Sequence, residues 1–136
     1  MTREAFSARC HAIEEAYEFM LAYAAQGVRG HASDPAGEQI REFLTRADRA
    51  LSGLGDLYAS VIDGEGTELA GAHRAFLVVL DRDARAAQAA LELVLGQPAI
   101  SSQLVDNLNA SIHLRALLTD LFLIDEALNG SPGSAR

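Results

Sequence analysis

The sequence predicts an all-helical single domain, an antiparallel four-helix bundle of up-down-up-down connectivity. Three observations predict it. Apolar residues recur at helical spacing in four long stretches, glycine- and proline-marked breaks separate those stretches, and no segment alternates with the period of two that a strand requires. The 136 residues suffice for one core without a disulfide or a metal, and Cys10, the single cysteine, excludes an intramolecular disulfide.

The first helix is expected over residues 3–26, with Thr2 as its cap and Phe6, Cys10, Ile13, Tyr17, Met20, Leu21 and Ala24 as its apolar stripe. A second line, Ala12, Ala16, Phe19 and Tyr23, widens the apolar arc beyond one core face. That surplus points Phe19 and Tyr23 toward a neighbouring subunit. Asp34 followed by Pro35 reads as an N-cap and a proline at the first helical position, and starts a second helix over 35–62. Its stripe is Ile40, Phe43, Leu44, Ala47, Leu51, Leu54, Tyr58, Val61 and Ile62. Gly53 and Gly55 weaken it locally and permit close helix packing.

After a turn over 63–66, Thr67 caps a third helix over 68–95, whose stripe runs Leu69, Ala72, Phe76, Val79, Leu80, Ala84, Ala87, Ala90, Leu91 and Val94. Gly96-Gln97-Pro98 stops it. Ser101 caps the fourth helix, over 101–128, with Ile100 and Val105 as a hydrophobic staple. Residues 130–136, rich in glycine and serine, are expected to be a disordered tail. The stretch 114–124 is apolar nearly all round, which assigns Leu114, Leu117, Leu121 and Ile124 to a subunit interface and makes a homodimer the expected state.

A formal net charge of -8 and a pI near 4.8 set the chain against nucleic acid and anionic membranes, since like charge would face like. A protein with a basic patch or a second copy of the chain fits better. Without a signal-peptide pattern or a long uncharged apolar run, the expected location is cytoplasmic, and the Ala-rich, Arg-over-Lys usage is that of a GC-rich bacterial genome.

His73 and Asp83 lie on the axis of the third stripe, so both are expected to be buried, and buried ionisable groups need partners. In an antiparallel hairpin around Gln97-Pro98, Asp83 falls level with Arg115 and His73 level with Glu126. Counting across the other helices puts Tyr17 near the first pair, and Tyr58, Phe6 and Cys10 near the second. As structural layers these pairs fix register. As a functional alternative, His73, Glu126 and Cys10, with Tyr58, form a metal or small-ligand site at one end of the bundle, although the Glu-x-x-His pairs of a di-iron bundle are absent. His11 and Glu15, one turn apart, belong to an acidic solvated line with Glu4, Glu14 and Glu18. Ser102, Asp106, Asn109, His113 and Asp120 form a second polar line, expected to face solvent.

No nucleophile–base pair or phosphate-cradling motif is present, so neither catalysis nor a cofactor is expected. The leading expectation is an adaptor, accessory or regulatory protein that acts by protein–protein association. Ala72-His73-Arg74 resembles the Ala-His segment of histidine phosphotransfer domains, which are four-helix bundles of this size; the resemblance implies a phosphate-accepting role for His73. It covers only those residues. Those domains continue with Lys-Gly, whereas this chain continues with Arg74, Ala75, Phe76 and Leu77.

Overall fold

The computed structural model of the protein describes residues 2–31, 33–64 and 70–129. The Thr67 cap, Leu69 at the head of the third stripe and the expected tail over 130–136 lie outside the described residues. Six helices account for nearly all of the rest: α1 (Thr2–Ala24), α2 (Pro35–Leu51), α3 (Leu54–Gly64), α4 (Ala70–Leu95), α5 (Ser102–Ala110) and α6 (Ile112–Asn129). The described residues are therefore all-helical, with six helices where the periodicity predicts four. Among the described residues no helix is long and apolar enough to cross a membrane.

Both extra breaks have local causes. Between α2 and α3, Ser52 is extended and Gly53 takes φ +69, a left-handed conformation that favours glycine. Gly55 then lets α3 approach α4, because a Cβ there would run into the Asp81 carboxylate. Between α5 and α6, Ser111 is extended at ψ 142; its N–H donates to the Leu108 carbonyl, closing α5, and its Oγ accepts from the Leu114 N–H at 3.3 Å, opening α6. One serine thus serves two helix ends.

The predicted start of α2 at Pro35 and the Ser101 cap are both present; Ser101 Oγ accepts from Leu104 N–H at 3.1 Å, and the staple residues Ile100 and Val105 are fully buried. Helix α1 packs on α2, α3 and α5, and α4 packs on α2, α3, α5 and α6. At one end the α1–α2 and α4–α5 loops are sewn together. Ile100 N–H donates to Gly30 O at 3.0 Å and Ser102 N–H to Val28 O at 2.9 Å, while Tyr23 Oη donates to Ile100 O at 2.6 Å. Ser102 Oγ donates to Tyr23 O and accepts from Val28 N–H. Arg41 donates to the Leu95 and Gln97 carbonyls, filling acceptors at the C-terminal end of α4. At the other end Arg3 donates to Leu128 O, joining the start of α1 to the end of α6.

Five of the six residues expected at a subunit interface lie in the protein's own core. Tyr23, Leu114, Leu117, Leu121 and Ile124 are all buried, and Phe19 stacks on Phe43 with ring centroids 4.1 Å apart. The reason is the inward arc of α6, which is wider than one stripe because that helix faces α4, α5 and the core at once.

Candidate functional site

His73 is buried, as its place on the stripe predicts, but its partner is Tyr58 and not Glu126. Tyr58 Oη and His73 Nδ1 are 2.5 Å apart, and Phe6 stacks on Tyr58 with centroids 5.5 Å apart. Burial pushes the Tyr58 hydroxyl up to about 12, so it remains protonated. Glu126 is exposed on α6. The layer of Phe6, Tyr58 and His73 is real, while its expected carboxylate lies on the opposite side of its helix. The burial of His73 and the engagement of its Nδ1 by Tyr58 count against the role implied by the phosphotransfer resemblance.

Cys10 does not join His73 either. It lines a cleft of about 200 Å³ between the start of α1 and the end of α6, with Phe6, Glu14, Asp125 and Leu128. Burial, then the charges of Glu14 and Asp125, push its thiol up to about 12. A thiol held protonated is a poor metal ligand and a poor nucleophile. Among the described residues no three His, Cys, Asp or Glu side chains converge as a metal site would require, so the His73, Glu126 and Cys10 set is not assembled. The expected result for Cys10 is alkylation by iodoacetamide at pH 8 roughly a hundredfold or more slower than free cysteine. Reaction at the free rate would contradict the burial argument.

Asp83 also has a different partner. Arg115 is exposed, and Asp83, half-buried on α4, meets Asp120, five residues further along α6. The break at Ser111 displaces α6 from the register of an uninterrupted helix, which is why Arg115 misses. Tyr17 is half-buried on α1 and belongs to neither expected pair. Asp120 is only 6% exposed, and its Oδ2 has no donor when both carboxyls are ionised. The hydrogen bond between Asp120 and Asp83 requires that one carboxyl of the pair carry a proton. Burial first, then the hydrogen bond and charge of Asp83, push Asp120 up to about 7, against the opposing pull of Arg82.

The second polar line is likewise turned inward in part. Ser102, Asn109 and Asp120 are buried, while Asp106 and His113 are exposed. Asn109 Nδ2 donates to Met20 O at 3.1 Å, tying α5 to α1. The acidic line of α1 does face solvent; His11 and Glu14 are 4.0 Å apart, and Glu15 pairs with Arg46 at 3.3 Å.

What α6 turns outward was not singled out by its stripe. Ile112 is 75% exposed, Phe122 58% and Leu123 55%, and they share one side of the helix with Arg115, Thr119 and Glu126. Among the described residues no ion pair engages Arg115 or Glu126. This outward face combines large apolar side chains with two unpaired opposite charges. The chain has no match among protein-family models, curated proteins or solved structures.

Proposed function

We propose that the protein acts by protein–protein association through the outward face of α6, without catalysis. The scaffold of this reading is an up-down-up-down bundle whose second and fourth members are each broken in two. The observation that carries it is the exposure of Ile112, Phe122 and Leu123 on one side of a single helix, where a chain working alone gains nothing from leaving them in water. The free Cys10 thiol and a net charge of -8 fit a reduced, cytoplasmic setting and disfavour a nucleic-acid partner. Among the described residues no charged pair in the interior is arranged as nucleophile and base: His73 is committed to Tyr58, and Asp120 to Asp83.

Site-specific photo-crosslinking in cells of the organism of origin tests this reading. A photoreactive residue replacing Leu123 gives discrete higher-mass adducts, whereas one replacing Leu93, more exposed but on the outer side of α4, gives none. Adducts from Leu93 alone, or from neither position, would overturn the assignment of the α6 face.

A further inference from the structure

The occupant of this face follows from the spacing of its residues. Ile112, Arg115, Thr119, Phe122 and Glu126 recur at alternating intervals of three and four, the repeat that lets one helix lie along another, with Ala116 and Leu123 on one flank. We infer that the face is filled by the α6 of a second copy of this chain, antiparallel and related by a two-fold axis between Thr119 and Phe122. This inference rests on the association reading above and names its partner.

Two arguments select a second copy. In an antiparallel pairing with the helices in full overlap, Arg115 lies opposite Glu126 of the partner subunit. The two-fold axis then repeats the pair with the roles exchanged. Within one chain these two residues are eleven positions apart, about 16 Å along the helix, too far to pair with each other. The same register sets Thr119 against Phe122 of the partner subunit, twice, and brings Leu123 beside Ala116 of the partner subunit. One alignment therefore covers Phe122 and Leu123 and pairs both charges, while Ile112 falls opposite Asn129 of the partner subunit at the end of the overlap.

The second argument is electrostatic. A strongly basic partner would be drawn to the acidic line of α1, which carries Glu4, Glu14, Glu15 and Glu18. The outward stripe of α6 carries one cation and one anion and complements itself.

Charge reversal tests the pairing. Arg115 and Glu126 are exposed, so Arg115→Glu and Glu126→Arg leave the thermal midpoint nearly unchanged. By sedimentation equilibrium at moderate salt, each single variant is expected to self-associate at least about tenfold more weakly than the wild type. The double variant, with the pair re-formed in the opposite sense, is expected to return to within about threefold. A wild-type chain that stays monomeric up to about 1 mM, or a double variant no better than the singles, would overturn the inference. If the wild type is monomeric by itself while Leu123 still crosslinks to a different protein, the second-copy inference fails and the association reading stands.

Discussion

Replacing Asp120 by Asn is expected to make the protein more stable at pH 8 than the wild type and to flatten its stability between pH 4 and pH 8. Asp120 is 6% exposed at the α4–α6 seam, with the carboxyl of Asp83 beside it. An unfolded Asp titrates near its ordinary value of 3.8, while in the folded protein Asp120 titrates at about 7. Between those values the folded chain holds a proton that the unfolded chain has released. Stability from this group is therefore fully present below the ordinary Asp value, falls as pH rises, and reaches its minimum above 7. Asparagine supplies a permanent N–H donor to Asp83 and has no charge to lose. Allowing for solvent screening at the seam, the expected gain at pH 8 is about 1–2 kcal/mol, or roughly 4–8 °C in thermal midpoint, with little gain at pH 4. Paired melting curves of the two proteins at both pH values measure it. Equal stability of the wild type at pH 5 and pH 8, or destabilisation by the Asn at both, would contradict a proton on this pair.

The second large effect is at Gly30. Its φ is +72, and a Cβ there would overlap the Ile100 carbonyl oxygen and the Tyr23 hydroxyl that donates to it. Gly30→Ala therefore strains the backbone and parts the two loops that hold one end of the molecule together. The expected cost is roughly 3–5 kcal/mol, enough to leave much of the chain unfolded near 37 °C if its total stability is ordinary. Gly27 is the internal control. It has φ +68 but nothing within 4 Å of its Cβ position, so Gly27→Ala is expected to cost only about 1 kcal/mol. Chemical denaturation of both variants separates the close contact from the conformational term. Equal costs at the two positions would show that the Gly30–Ile100 contact carries no weight.

Helix content was legible because burial follows period: His73, Leu80, Ala84, Ala87, Leu91 and Val94 sit where a 3.6-residue stripe puts them. The two breaks were harder to see. Gly53 stood out as a weak point, but glycine alone does not distinguish a tolerated residue from a left-handed turn. Ser111 carried no obvious mark beyond the low helix propensity of the amide- and hydroxyl-rich run before it. Missing that break displaced α6 and turned Arg115 and Glu126 inward in the expected pairs.

Asp120 offered the clearer overlooked signal. It is the only ionisable residue between Ala116 and Ile124, in a stretch apolar enough to be buried on most sides. The outward face of α6 was half visible. The stretch 114–124 reads as apolar nearly all round, and its inward and outward sets separate only once the α4 and α5 contacts of α6 are known. Tyr23, Leu114, Leu117, Leu121 and Ile124 went to the core, which left Ile112, Phe122 and Leu123 for the outside.

The most direct test of the α6 face is fluorescence-detected sedimentation velocity of the labelled chain in extract from its organism of origin, beside a Phe122→Ser, Leu123→Ser variant. Both positions are exposed, so the variant is expected to fold normally. The wild type is expected to sediment as a species larger than its own 14.5 kDa, and the variant at that mass. Sedimentation of both at 14.5 kDa, or of both in the same larger species, would contradict association through this face.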